Sequence, residues 1–140
     1  MDKKFDVVIV GTGAAGLYAA LNFPESVNIL LVSKRELQLS NSSLAQGGVA
    51  CVLDTVHDSY KLHITDTLIA GKYKNTLSAV EKLVTEGPSD VLKIKDLGVD
   101  FDLNEDGTMC KTLEAGHSRN RIVHHKDSTG KAIVDGLIAK

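Results

Sequence analysis

The sequence contains no tryptophan, and aromatic residues make up only 4% of its 140 residues. A core without large rings has to be filled by Val, Ile, Leu and Ala, and the chain is 43% hydrophobic. Cysteine is also scarce: Cys51 and Cys110 lie far apart, with no C-x-x-C or C-x-x-H spacing. That excludes the usual metal and redox-pair patterns and leaves two free thiols in a reducing compartment as the reading. Neither sign of charge dominates, with 16 basic and 18 acidic residues and a net charge of -2. There is thus no electrostatic reason to expect nucleic acid or an anionic membrane as a partner. Long apolar runs are missing as well. The N-terminus enters a strand directly, and the run at residues 7–10 is too short for a signal peptide or a membrane span. A cytoplasmic protein of single-domain length is expected.

What is there is an alternation of strand and helix. Residues 5–10 (FDVVIV) are β-branched and nearly continuously apolar, as in a strand covered on both faces. A helix follows and closes near Pro24, and residues 28–33 read as a second strand, which completes a βαβ unit. Residues 40–50 are small, polar and glycine-rich, a loop with at most one helical turn. Residues 57–70 read as helical. So do residues 76–97, with a break at Gly87 and Pro88 and a stop at Gly98. Residues 99–103 alternate like a strand and turn at 104–107 into a returning strand at 108–113. Residues 114–130 have no clean period. A last helix begins after Ser128 or Thr129 as N-cap and runs to Lys140.

Between the first strand and helix stand Gly11, Thr12, Gly13, Ala14, Ala15 and Gly16, which fit G-x-G-x-x-G in the context that makes it informative. Gly11 permits the tight turn, Gly13 lets a pyrophosphate approach the backbone, and Gly16 lets helix pack on strand. The helix N-terminus adds unpaired N–H groups and partial positive charge. A glycine-rich turn without ligand is the plainer alternative. The second strand ends in Ser33, Lys34, Arg35 and Glu36. Glu36 could serve a ribose hydroxyl, and Lys34 and Arg35 a 2′-phosphate, so spacing alone leaves NAD, NADP and FAD open.

The next segment is more specific. Asn41, Ser42, Ser43, Leu44, Ala45, Gln46, Gly47 and Gly48, continuing to Ala50, resemble the flavin-contacting loop of the succinate dehydrogenase, fumarate reductase and L-aspartate oxidase flavoproteins. Residues 117–130 resemble a later segment of that family, with the pattern R-x-x-H-x-x-D-x-T-G from Arg121 to Gly130. The Ser33-Lys34 ending of the second strand is similar too, which removes the NADP reading. The resemblance implies an α/β, Rossmann-like FAD-binding domain. Residues 1–140 would be its incomplete N-terminal part, cut before or within a capping domain, with the capping and C-terminal helical domains absent.

Within the family, the aspartate oxidase branch is the better match. Ala45-Gln46-Gly47-Gly48 has its wording, where the dicarboxylate enzymes tend to have Glu in place of Gln46. Asn41 stands where many of those carry a histidine bonded covalently to flavin, so non-covalent FAD is implied. Residues 66–71 (DTLIAG) are also similar. Glu114 precedes Ala115-Gly116-His117-Ser118, where the branch reads E-G-G-H-S. A carboxylate there would orient the substrate ammonium through a charge-assisted bond of about 1.5–3 kcal/mol; an exposed loop glutamate is the alternative. Ala115 departs from the family's glycine, which matters if that position needs positive φ. His117 is a candidate pocket residue or an equally good structural one. His124 and His125 are expected to pack or cap, and His57 and His63 to lie on a helix surface. No histidine has metal-ligand spacing.

The resemblance implies cofactor contacts by residues 11–16, Ser33, Lys34 and residues 41–48, with the backbone of Gly47 and Gly48 close to the isoalloxazine ring. It implies flavin-dependent oxidation of L-aspartate to iminoaspartate, with oxygen or fumarate as acceptor, and a link to quinolinate synthase in NAD biosynthesis. Family members are several times longer, so this chain by itself is expected to be inactive. A fumarate reductase or succinate dehydrogenase subunit, and a non-catalytic truncated module, are the competing readings.

Overall fold

A computed structural model of the chain describes residues 4–140. The β-branched run forms strand β1 (Val7–Val10), which pairs in parallel with β2 (Ile29–Val32) in the register Val7 to Ile29 through Val10 to Val32. Helix α1 (Ala14–Leu21) makes the crossover and buries Leu17. The expected βαβ unit is present, but its sheet is covered on one face only. Val8 and Val10 are 58% and 83% exposed, and Val32, the partner of Val10, is 40% exposed. Continuous apolar character therefore does not correspond here to two covered faces.

The remaining elements are β3 (Val49–Ala50), α2 (Tyr60–Ala70), α3 (Leu77–Asp96), β4 (Lys111–Thr112), β5 (Ile122–Val123) and α4 (Thr129–Ile138). β5 lies between β3 and β4 in a small antiparallel sheet. Helix α2 starts later than the sequence reading because Asp54 Oδ1 accepts from the amides of Val56 and His57, which makes a turn of residues 54–57. Ser59 then caps α2 by accepting from Leu62 N at 3.2 Å.

The break expected at Pro88 does not occur: α3 is continuous with Pro88 inside it. Proline in a helix interior costs about 3 kcal/mol. Val80, Val84, Pro88 and Val91 are all buried, at helical spacing. Burial of this stripe offsets the lost bond at about 0.8 kcal/mol per CH₂.

The hairpin of residues 99–113 is reduced to one bridge, between Leu103 and Met109, around a turn with Gly107 at φ +80°. Asp102 N instead donates to His124 O at 2.8 Å, and β4 pairs with β5. At α4, Ser128 is the N-cap residue without a side-chain capping bond. Thr129 is buried, and its Oγ1 accepts from His125 N at 3.0 Å.

One core joins these parts. Leu17 of α1, Val91 of α3, Val123 of β5, and Val134 and Leu137 of α4 pack with Val99, Phe101 and Met109 from the hairpin region. Among the described residues no helix is long and apolar enough to cross a membrane.

Candidate functional site

The glycine loop has a separate cause for each glycine. Gly11 takes φ +113°, and its N–H donates to Val32 O at 2.8 Å, so it fixes the turn between β1 and α1. A Cβ on Gly16 would sit 2.0 Å from Gly11 O, so only glycine lets α1 start this close to the strand. A Cβ on Gly13 would lie 2.9 Å from Ser42 Oγ. That hydroxyl accepts from Ala14 N at 3.1 Å. The second loop thus satisfies one orphan amide of α1. Thr12 is buried, and its Oγ1 donates to Ser33 Oγ at 3.1 Å, tying the loop to the end of β2. Ala15, Lys34, Arg35 and Glu36 are exposed.

The segment 40–45 closes on itself as one turn. Ser40 N donates to Ser43 Oγ and Ser43 N to Ser40 Oγ, at 3.0 and 3.1 Å. The Ser43 hydroxyl also donates to Ser40 O at 2.8 Å. Its hydrogen-bonding capacity is therefore used within the loop. Asn41, Leu44, Ala45, Gln46 and Gly47 are exposed. A Cβ on Gly47 would meet nothing within 4 Å, whereas on Gly48 it would lie 2.4 Å from Ile122 Cγ2 and 2.5 Å from Val123 O. Gly48 is thus required by its packing on β5, whatever else approaches it.

Helix α4 closes the arrangement. Gly130 N donates to Ala45 O at 3.0 Å, and a Cβ on Gly130 would fall 1.9 Å from Ser42 O. A cleft of about 190 Å³ is left among Ala14, Ser42, Ala45, Gly47, Gly48 and Gly130. The candidate residues of the two loops do come together, at the N-terminus of α1. Thr129 and Gly130, which the sequence places in the R-x-x-H-x-x-D-x-T-G motif and at the start of the last helix, also line this cleft.

The fit to a flavin dinucleotide rests on these features. The α1 amides carry partial positive charge suited to a pyrophosphate. The missing Cβ at Gly13 leaves its backbone open to approach. The exposed edge of residues 44–47, with Leu44 and Ala45 beside Gly47, offers a surface for a flat ring.

A second cluster surrounds Arg121, whose side chain is 1% exposed. Its Nε and Nη2 donate to Asp58 Oδ2 and Oδ1, each at 2.7 Å, in a bidentate pair. Its Nη1 donates to Asp66 Oδ2 at 2.5 Å. The same oxygen accepts from Ser118 N and Ser118 Oγ, both at 2.8 Å. His117 Nδ1 lies 3.2 Å from Arg121 Nη1, and its ring centroid is 5.7 Å from that of His63. Burial pushes both carboxyls up, but the hydrogen bonds from Arg121 and from nearby backbone outweigh it, so Asp58 and Asp66 sit below the ordinary value of 3.8. Burial, reinforced by the charge of Arg121, lowers His63.

His63 is therefore a buried residue of α2 and not a surface one, while His57 is exposed in the turn before α2. Glu114 is exposed, and its carbonyl accepts from His117 N at 3.2 Å, closing a turn. Positive φ falls on Gly116, at +84°, and not on Ala115, so the alanine is accommodated without strain. His117 is half-buried and joins the cluster; the Glu114 carboxylate has no hydrogen-bonding partner among the described residues. Among the described residues, no group of three His, Cys, Asp or Glu could hold a metal ion.

Residues 6–140 match the family described as FAD binding domain. An L-aspartate oxidase of Clostridium perfringens is 46% identical over 138 residues, which is 99% of this chain and 31% of that protein. An L-aspartate oxidase of Acinetobacter baylyi is 46% identical over 97% of this chain and 25% of its own length. The chain thus spans a quarter to a third of these relatives. Among solved structures, Mycobacterium smegmatis Sdh1 in complex with UQ1 is similar with a TM-score of 0.89 and 32% identity, over 95% of this chain and 23% of that one. An E. coli quinol fumarate reductase is similar with a TM-score of 0.91 and 28% identity, over 96% of this chain and 23% of that one.

Proposed function

This chain belongs to the FAD binding domain family, and from that premise we propose that it forms the flavin-facing start of an L-aspartate oxidase. FAD is the family's cofactor; when bound it accepts the hydride that leaves the substrate. The chain's own residues bind and orient. The α1 N-terminus, with Gly11, Gly13 and Ser42, holds the pyrophosphate. Residues 44–47 face the ring system without a covalent bond, since Asn41 cannot form one. Glu114 is the partner for the substrate ammonium, and its exposed carboxylate is free to take that role. His117 lines the substrate side of the same segment.

The observation that carries this reading is the similarity to L-aspartate oxidases over nearly the whole chain, at 46% identity, joined to a Glu114 carboxylate left without a partner. The product would be iminoaspartate, with oxygen or fumarate taking the electrons and quinolinate synthase as consumer, in the cytoplasm. In this reading the chain is the N-terminal part of an FAD-binding domain whose capping and helical domains are separate from residues 1–140.

The test uses the FAD-loaded full-length protein of which this chain would be the N-terminal part. Anaerobic L-aspartate should bleach the visible flavin band, and oxygen or fumarate should restore it. Glu114→Gln should weaken L-aspartate by about 10- to 100-fold, the loss of one charge-assisted hydrogen bond, and leave succinate unaffected. Oxidation of succinate without oxidation of L-aspartate would instead favour a dicarboxylate oxidoreductase, which the structural likeness to fumarate reductase keeps as the second reading.

A further inference from the structure

Arg121 is fully buried, and its bonded partners are Asp58, Asp66 and His117. Asp66 is the hub, because one of its oxygens takes Arg121 Nη1 and both the amide and the hydroxyl of Ser118. The backbone after His117 is therefore pinned to α2, one residue beyond the imidazole.

The imidazole itself is constrained by chemistry. A guanidinium has only donors and stays protonated in proteins. Arg121 Nη1 at 3.2 Å can therefore only donate to His117 Nδ1. Nδ1 must be the unprotonated nitrogen, so the proton of the neutral ring resides on Nε2. His63, Asp58 and Asp66 are the other titratable groups around it, and the two carboxylates are already committed to Arg121. Nε2 has no partner among the described residues. His117 also lines a shallow cleft of about 290 Å³ with Asp66, Ile69, Ala70, Gly116 and Ser118.

We propose that Asp66 and Arg121 are positioning residues that hold His117 as a neutral Nε2–H donor for a carboxylate oxygen of the substrate. The proposal rests on the substrate reading above only for the identity of the carboxylate; the tautomer stands independently.

The experiment is long-range ¹H–¹⁵N spectroscopy on the ¹⁵N-labelled full-length protein that carries this chain, loaded with FAD. His117 should show an unprotonated Nδ1 and a protonated Nε2 near neutral pH. L-Aspartate and succinate, which share the carboxylates, should both shift the Nε2 resonance. Asp66→Asn should leave the helical circular dichroism in place, mix the two tautomers, and weaken both ligands about tenfold. Because that substitution unbalances a buried cation, a second pair is used. His117→Leu should weaken both ligands to the same degree. His117→Gln, which can accept and donate on opposite atoms, should recover most of that loss. A native Nδ1–H tautomer would overturn the proposal, as would His117→Leu with unchanged affinity. A correct tautomer with shifts from succinate alone would retain the positioning role and reject L-aspartate as the substrate.

Discussion

His63 is kept neutral by where it sits. Burial and the charge of Arg121 both work against its imidazolium and lower its affinity for a proton, against the pull of Asp58 and Asp66. Such a group binds fewer protons folded than unfolded, so stability falls as pH drops below its unfolded value of 6.5. Asp58 and Asp66 have lowered values too. Their contribution is present above the unfolded carboxyl value of 3.8 and is lost as pH falls through the depressed folded range. Acid should thus destabilise the fold in two stages. Urea midpoints should begin to decline as pH falls through the unfolded value of 6.5, and His63→Leu should flatten that upper stage alone. Equal slopes in both proteins would refute the assignment. At this scale the glycine loop was legible, because each glycine answers to a local cause: a positive φ at Gly11, a backbone oxygen facing Gly16. The burial of His63 was not. What covers it is Arg121 and His117, far along the chain, and nothing in its own helix signals them.

Elements divide the same way. The βαβ unit could be read from the sequence because its parts are adjacent and its strands are four residues long. The β3–β5–β4 sheet could not. Its strands have two residues each, too short for alternation to register, and β3 pairs with a strand some seventy residues on. Pro88 misled for a different reason: local propensity lost to the buried stripe it shares with Val80, Val84 and Val91. The junction of α4 with the loop of residues 40–48 is the most exacting contact between elements. Gly130→Ala would drive a methyl group into Ser42 O and Ala45 O, both backbone atoms that cannot swing aside. The expected cost is about 1–3 kcal/mol of stability, with flavin affinity lost at the same time. Thermal melts with and without FAD would measure both. Retained affinity would show that the loop does not depend on the helix.

For the whole molecule, the uncovered face of the β1–β2 sheet is the main departure from a self-sufficient domain. Val8, Val10 and Val32 present a contiguous apolar strip, and the matched relatives are three to four times longer than this chain. The 140-residue polypeptide should therefore self-associate, and Val8→Thr, which keeps strand propensity, should reduce this in sedimentation velocity. A strictly monomeric wild type would contradict the expectation. The α/β class and the two loop motifs were evident beforehand because composition and spacing carry them; the single covered face was not, since period and hydropathy look alike whichever layer is present. The tie between Gly130 and Ala45 also bears on synthesis. The cleft draws on Ala14 near one end and Gly130 near the other, so its closure has high contact order. On a ribosome the glycine turn emerges early, and the cleft can close only once α4 has cleared the exit tunnel.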